Sequence, residues 1–263
     1  MDLFITLFSF IWQHTKFILV DHSLSLLSSI HLPHVALANA ERIIISNDRD
    51  LLKEKLKSVK EIRHGDETKP FIALTFDDGF DPEEARNQLK ILAEKQVLAT
   101  FFLKGWWMKE EKGLVAEIIA AGHELGNHSY NHPKFPQLSL AQIKEEIDSP
   151  ETLTLADHNY SLKPYFRFPY GARTPQILQV VNESGYTSIL WDIDSLDWLQ
   201  DGKYVKNEVL SKAHNGSIIL LHLGKKETGK VLAAIIDELR AKGFILVTVS
   251  ELLNQDDALL RRS

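Results

Sequence analysis

The chain contains no cysteine, and this absence excludes several kinds of chemistry at once. There can be no disulfide bond, no thiolate metal site, no cysteine nucleophile and no lipid anchor attached to a cysteine. The cellular compartment stays open, because a chain of 263 residues can bury a large core and needs no disulfides to fold.

A surplus of positive charge is also lacking. The 30 lysines and arginines are outnumbered by 36 aspartates and glutamates, which gives a formal net charge of −6. The dense basic clusters, at 53–60 and 261–262, are interleaved with acids or very short, so we interpret them as solvated faces. Because phosphate binding requires basic patches, nucleic acid is not an expected partner.

No apolar run is long enough to indicate a membrane span, although the first forty residues are rich in large apolar side chains. Polar residues interrupt this stretch within 13–22, and small residues then follow at signal-peptidase spacing in 36–40. We therefore expect 1–40 to be an export signal cleaved near Ala38 or Ala40, which makes the protein periplasmic or secreted. Two alternatives stay open: an uncleaved membrane anchor and an extension of amphipathic helices. A membrane is an expected partner only through this N-terminal segment, if it stays uncleaved.

Beyond this leader, apolar runs alternate with amphipathic segments. We predict a linker at 41–68 with an amphipathic helix over 49–62, one large domain at 69–252 and a polar tail at 253–263. Strands are predicted at 71–76, 99–103, 165–168, 187–191, 217–221 and 244–249, and helices at 82–95, 114–121, 140–147, 175–184, 204–213 and 230–242. Apolar strands alternating with helices indicate an α/β fold with a parallel sheet, and their number predicts a closed or nearly closed β/α barrel.

Two adjacent carboxylates, Asp77 and Asp78, stand at the end of the first predicted strand and are followed by Gly79. Successive strand residues point to opposite sides, so one acid can hold a cation while its neighbour stays free as a base. Asp-Asp-Gly is also ordinary turn chemistry, and that alternative stays open for the pair taken alone.

A pair of histidines, His128 and His132, is separated by four positions. On one turn of helix, or on a helix-like turn, both imidazoles point the same way and can share a cation. Two imidazoles and one carboxylate form a three-ligand site with open positions for water, which is the catalytic type of metal site. Asp78 can supply the carboxylate, which leaves Asp77 free to take a proton from bound water.

Further candidate residues follow later strands. Arg167 ends one strand, where it can pair with a site carboxylate and keep it ionised, and a backbone N–H near Tyr170 can donate to a developing oxyanion. The alternative is a strand that simply stops at a proline and a glycine turn. His222 ends another strand, and it becomes a general acid if an acidic partner such as Asp197 reaches it. Trp198 offers a flat surface for sugar rings.

Together, these segments resemble the polysaccharide deacetylase family, the carbohydrate esterases built on the NodB homology domain. The matching motifs occur in order as T-F-D-D-G at 75–79, H-S-Y-N-H at 128–132, R-F-P-Y-G at 167–171, D-S-L-D-W at 194–198 and L-L-H at 220–222. The resemblance implies a distorted (β/α) barrel with fewer than eight regular units. It also implies a divalent metal, with zinc expected and cobalt, nickel or manganese left open, and an N-acetylated polysaccharide or oligosaccharide as substrate.

The resemblance assigns a role to each matching residue. It implies Asp77 as general base, His222 as general acid, Arg167 as the partner of Asp77, an aspartate that tunes His222 (Asp197 preferred over Asp194), Asp78, His128 and His132 as metal ligands, Tyr170 as the source of an oxyanion N–H, and Trp198 and Leu220 as walls of the acetyl pocket.

The chain departs from the common family pattern near the expected cleft, where Phe80 replaces a frequent proline, Leu223 replaces a frequent aspartate and Trp106 adds an aromatic ring. These departures leave the glycan open. The expected activity is removal of N-acetyl groups from N-acetylglucosamine-type residues of a cell-wall or extracellular polysaccharide, by a monomer. The alternatives are an O-acetyl esterase, a non-sugar amidase, an inactive glycan-binding relative and a purely structural metal site.

Overall fold

The computed structural model describes residues 60–254. The expected leader at 1–40, nearly all of the helix expected over 49–62 and most of the tail expected at 253–263 lie outside these residues. Within them, no helix combines the length and the apolar character that crossing a membrane requires.

A curled parallel sheet forms the centre of the described region. Its strands are β1 (Glu61–Ile62), β2 (Phe71–Asp78), β3 (Thr100–Leu103), β4 (Glu124–Asn127), β5 (Tyr165–Phe166), β6 (Thr187–Ile189), β7 (Ile193–Asp194), β8 (Ile218–Leu223) and β9 (Ile245–Val247). The order is β1-β6-β5-β4-β3-β2-β8-β7, and β9 pairs with the first residues of β2. The predicted α/β fold with a distorted barrel is confirmed, as a half-barrel whose end strands do not pair with each other.

Helices cover the sheet between successive strands. They are α1 (Pro82–Glu94), α2 (Gly105–Glu110), α3 (Lys112–Ala120), α4 (Leu140–His158), α5 (Pro175–Glu183), α6 (Gly202–Lys212), α7 (Lys226–Ala241) and α8 (Val249–Leu253). Asp81 and Thr174 cap α1 and α5 through their side chains, and each cap precedes a proline at the start of the helix. These signals made both helix starts predictable.

The largest apolar cluster lies between the sheet and the helices outside it. Every residue of β2 is buried, including the two carboxylates at its end. From the helix side, Leu92 of α1, Ile118 of α3 and Ile236 of α7 are fully buried in the same cluster. Packing on both faces encloses β2 along its whole length, so its C-terminal end is a firmly held position for chemistry.

Two of the sequence predictions were wrong in extent. The helix predicted over 49–62 cannot reach its last residues, because Glu61 and Ile62 form β1 and pair with β6. Ile62 fits a helical period, but its partner is Ile189 in the sheet, and the expected linker at 41–68 thus contributes a strand. The helix predicted to stop at 147 continues to His158, with Pro150 buried inside it. Strands β1, β4 and β7 and helices α2 and α8 were not predicted.

Candidate metal centre and active site

The two carboxylates at the end of β2 separate because the backbone twists there. Asp78 has a φ of 75° and Gly79 a φ of 107°, both in the left-handed region that favours glycine. A side chain at position 79 would also collide with the Trp107 ring, so only glycine fits. As a result, Asp77 points toward Arg167 and Asp78 toward the two histidines.

The histidine pair is brought together by a strained loop after β4. The helix-like turn predicted for it is wrong: Ser129 and His132 have φ values of 64° and 60°, and residues 128–132 form no helix. The Ser129 hydroxyl accepts a hydrogen bond from the backbone N–H of His132 at 3.0 Å and closes the loop. The imidazole rings nonetheless lie together, with centroids 4.9 Å apart.

A buried glutamate of α4 holds this loop in place. Glu146 accepts hydrogen bonds from the backbone N–H groups of Tyr130 and Asn131 at 2.9 and 2.7 Å and from the Asn131 side chain at 2.7 Å. A carboxylate that accepts three hydrogen bonds is a strong anchor. The position of His132 therefore depends on a helix that contributes no ligand.

Asp78, His128 and His132 can hold a metal ion, and their ligand atoms all lie within 4.8 Å of one another. His128 donates its Nδ1 hydrogen to the carbonyl oxygen of Arg167 at 2.8 Å, which leaves Nε2 with a free lone pair. Burial lowers the pKa of both imidazoles to about 4, so they are neutral at physiological pH.

The carboxylate of this set is charged and lacks a hydrogen bond on the oxygen that faces the histidines. Oδ1 of Asp78 is buried and has no hydrogen-bond partner, although Nε2 of His132 lies 3.3 Å away. Burial alone would raise the pKa of Asp78, but its electrostatic interactions with His128, His132 and Lys104 outweigh burial and hold this pKa below its ordinary value. A buried carboxylate oxygen without a hydrogen bond, facing two neutral imidazoles, fits a divalent cation.

Asp77 is held by a fully buried arginine. Arg167 donates to Oδ1 of Asp77 at 2.6 Å and to the Thr75 hydroxyl at 2.8 Å. The same guanidinium donates to two backbone carbonyls of 189–190 and lies 4.1 Å from the centroid of the Phe102 ring. Burial raises the pKa of Asp77 to about 6, although the charge of Arg167 opposes this shift.

His222 of β8 is paired with Asp197, the second aspartate of the D-S-L-D-W motif. Nδ1 of His222 lies 2.6 Å from Oδ1 of Asp197, while Oδ2 of Asp197 accepts the backbone N–H of His222 and the hydroxyl of Thr228. Burial alone would lower the pKa of His222, but the hydrogen bond and charge of Asp197 outweigh it and raise this pKa. Asp194 instead accepts a hydrogen bond from the backbone of Leu196.

The sheet places the two pairs next to each other. Asp77 and His222 are register partners on the adjacent parallel strands β2 and β8. Side chains at paired positions of neighbouring strands lie on the same side of a sheet. The predicted base and the predicted acid therefore face the same space.

The three residues expected to contact substrate occupy different environments. The Tyr170 ring is 63% exposed and lies over His132, with ring centroids 4.5 Å apart. Trp198 is about half exposed immediately after Asp197, whereas Leu220 is buried in β8 opposite Thr75. Their places in an acetyl pocket stay predictions.

Several residues of the site escaped the sequence reasoning. Glu146 had a usable signal, because it interrupts the apolar helical face of Ile143 and Ile147 with a charge. Thr75 opens the T-F-D-D-G motif but had no obvious role. Lys104 and Thr228 gave no signal at all.

Lys104 lies beside the metal-type cluster. Its Nζ is 3.5 Å from Oδ1 of Asp78, and its side chain is only 9% exposed. The same Nζ lies 4.6 Å from the centroid of the Phe80 ring and 5.1 Å from that of Trp106. Burial lowers the pKa of Lys104, while its ion pair with Asp78 opposes this shift.

The fold and the site define a class of enzyme-like protein: a half-barrel that carries an aspartate–histidine–histidine cluster, a carboxylate–arginine pair and a histidine–aspartate pair. Residues 64–189 match the family model described as polysaccharide deacetylase. The chain belongs to the polysaccharide deacetylase family, carbohydrate esterase family 4.

Individual relatives support this assignment. The peptidoglycan-N-acetylglucosamine deacetylase of Bacillus cereus is 34% identical over 189 residues, which cover 69% of this chain and 87% of the relative. A Bacillus subtilis protein, YlxY, is 35% identical over 74% of this chain, and the match spans 60% of that protein's length.

One similar solved structure belongs to a protein described as a pseudoenzyme. The structure of a Bacillus anthracis protein described as a family 4 pseudoenzyme has a TM-score of 0.71 and 29% identity, covering 74% of this chain and 69% of its own. A mutant of that pseudoenzyme with restored enzymatic activity has also been solved and is equally similar in fold. Membership of the family does not by itself establish catalysis, so the residues of this chain must carry that argument.

Proposed function

We propose that this protein is a metal-dependent hydrolase that removes N-acetyl groups from N-acetylglucosamine-type residues of a cell-wall or extracellular polysaccharide. The observation that carries the proposal is the position of Asp77. Its Oδ1 is bound by Arg167, while its Oδ2 lies 3.7 Å from Nε2 of His128, at the edge of the metal-type cluster. A base placed there can take a proton from a water molecule in that cluster.

Asp78, His128 and His132 would hold the cation, and two imidazoles with one carboxylate favour zinc, with cobalt, nickel or manganese as further candidates. When bound, a divalent cation supplies Lewis acidity, which lowers the pKa of a water molecule to about 7 and polarises the acetamide carbonyl. Asp77 accepts the proton of the attacking water at Oδ2. Arg167 orients Asp77 and favours its ionised form.

His222 serves the leaving group. Asp197 holds its Nδ1, so Nε2 is the atom that delivers a proton to the departing amine. The raised pKa of His222 favours the protonated imidazole that this step requires. The reaction then yields acetate and a glucosamine-type residue, with water added across the amide bond.

The backbone N–H of Tyr170 is assigned to the developing oxyanion. Tyr170 has a φ of 58°, and five of the seven non-glycine residues with positive φ in the described region belong to the site segments. These five are Asp78, Ser129, His132, Tyr170 and Leu196. Strain concentrated in this way supports a role in positioning groups for chemistry.

An inactive, glycan-binding role is the second candidate, because a protein of similar fold is a pseudoenzyme. The residues of this chain argue against it, because the base is bound by Arg167, the acid by Asp197, and the three cation ligands lie within 4.8 Å of one another. An O-acetyl ester or a non-sugar amide would use the same machinery.

The test is acetate release by the full chain from chitooligosaccharide, peptidoglycan and an acetylated exopolysaccharide. We expect release that a chelator abolishes and zinc restores, and that Asp77→Asn lowers without loss of bound zinc. Release of acetate only from O-acetyl esters would replace the proposed substrate class. Glycan binding without any acetate release would establish the inactive alternative.

A polymeric, extracellular substrate also requires export. The leader expected at 1–40 supports this proposal, and cell fractionation with an antibody against the protein tests it.

A further inference from the structure

We propose that Lys104 competes with the divalent cation for Asp78 and thereby weakens the affinity of the site for metal. This inference rests on the proposed function, because it concerns the regulation of the same cation site. It goes further in assigning to a lysine outside the five family motifs a direct effect on metal loading.

The geometry places the ammonium and the cation ligands on one oxygen. Nζ of Lys104 is 3.5 Å from Oδ1 of Asp78, and Nε2 of His128 and His132 lie 3.7 and 3.3 Å from that same oxygen. Oδ1 is buried, so it has little solvent to screen its charge. One carboxylate of charge −1 cannot fully compensate both an ammonium and a divalent cation.

The backbone and two aromatic rings keep Lys104 in this position. Its backbone N–H donates to the carbonyl oxygen of Asp78 at 3.1 Å, and its own carbonyl accepts the N–H of Met108 at the start of α2. The ammonium lies within cation–π distance of Phe80 and Trp106. The backbone of Lys104 is thus held beside Asp78, and the ammonium cannot leave Asp78 without losing its contacts with the two rings.

Lys225 provides a matched control on the same ring. Its Nζ lies 3.9 Å from the centroid of the Phe80 ring, as a second ammonium at the mouth of the site. The ion pairs of the described residues join Asp78 to Lys104, not to Lys225. A general effect of positive charge would appear in both lysine variants, whereas competition for Asp78 appears only when Lys104 is changed.

The experiment measures zinc affinity of the full chain after removal of metal by a chelator and dialysis, in competition with a chromophoric chelator at pH 7.5. Lys104→Met is expected to lower the Kd about tenfold, which corresponds to about 1.4 kcal/mol. Lys225→Met is expected to stay within about twofold of wild type. Asp78→Asn is expected to abolish the tight site.

A second readout separates competition from a loss of structure. In the presence of chelator, Lys104→Met should unfold at a lower temperature than wild type, because a buried carboxylate loses its counter-ion, and saturating zinc should remove the difference. If the methionine variant does not fold, Lys104→Gln, whose side chain is one atom shorter, keeps a hydrogen-bond donor without the charge, and the same affinity change is expected.

Each result decides between the two proposals. An unchanged Kd in both Lys104 variants, with zinc binding that Asp78→Asn abolishes, overturns the competition and leaves the metal-dependent hydrolase intact. Equal tightening in the Lys104 and Lys225 variants also overturns it, in favour of a general charge effect. Wild-type protein with no zinc site dependent on Asp78 overturns both proposals.

Discussion

Replacing Asp77 by asparagine is expected to stabilise the protein at neutral pH while it removes the activity. Burial raises the pKa of Asp77 from its ordinary value of 3.8 to about 6. The folded protein therefore favours the neutral carboxyl, and ionising it costs folding free energy. A shift of about two pKa units corresponds to about 3 kcal/mol.

The sign sets the pH window. The stabilising contribution of neutral Asp77 is fully present below about pH 4 and is lost as the pH rises through about 6. Asparagine stays neutral throughout. The variant and the wild type should thus have similar free energies of unfolding at pH 4, and the variant should be more stable by about 1–3 kcal/mol at pH 7.5.

An opposing effect has to be weighed, since breaking a buried ion pair usually costs about 3–5 kcal/mol. In this site Arg167 keeps three other acceptors, namely the Thr75 hydroxyl and two backbone carbonyls of 189–190, together with the face of Phe102. The raised pKa of Asp77 is itself the net result after the attraction of Arg167 has been included. We therefore expect the relief of burying an ionised carboxylate to exceed the loss of the ion pair with Arg167, so that the variant has the higher free energy of unfolding at pH 7.5.

The assay is urea unfolding of the full chain with chelator present, at pH 4 and pH 7.5. Asp148→Asn, at an exposed position of α4, is the control for a simple change of net charge. Saturating zinc should shrink the difference, because a nearby cation favours ionised Asp77. Acetate release should fall about 10³-fold, the usual contribution of a general base. An Asp77→Asn protein less stable than wild type at pH 7.5 would refute the reasoning about burial, and near-normal acetate release would refute the role as base.

The remaining predictions concern the proposed acid His222, the loop that carries the two histidines, and the exposed ring of Trp198. Asp197→Asn removes the partner that raises the pKa of His222, so the basic limb of the pH–rate profile should move to lower pH; an unmoved limb contradicts this. Glu146→Gln should weaken zinc binding about tenfold by loosening the histidine loop, whereas exposed Glu145→Gln should not. Trp198→Ala should raise KM for oligosaccharides with little change in zinc affinity, and an unchanged KM contradicts a contact with sugar.

Much of the fold was predictable because its signals are local. Apolar runs bounded by caps and glycines marked the larger strands and most helices, as at Asp81 and Thr174. The short strands β1 and β7 carry two residues each, and no local pattern distinguishes so few residues from a loop. Their existence depends on pairing with β6 and β8, which is a tertiary property.

The candidate site divides in the same way. The order and chemistry of the motifs were sufficient to name Asp77, Asp78, the two histidines and His222 as candidates, and the structure brings Asp78 and the two histidines together. The way in which these residues come together could not be predicted from the motifs. A helical turn was expected for the histidine pair, whereas the structure has a strained loop held by Glu146. Long-range contacts carry no periodic signal along the chain.

The sequence by itself determined which groups are available: two carboxylates at a strand end, a histidine pair, an arginine and a histidine at the end of another strand. It also excluded a thiolate as a metal ligand, because the chain has no cysteine. Only the tertiary structure decided which of these groups lie close together and which protonation state each one favours. Burial and Arg167 set the state of Asp77, the register of β2 and β8 puts His222 beside it, and Lys104 reaches Asp78 from the start of α2. The physical reason is that charge, pKa and metal affinity depend on distances of a few ångströms between residues that lie far apart along the chain.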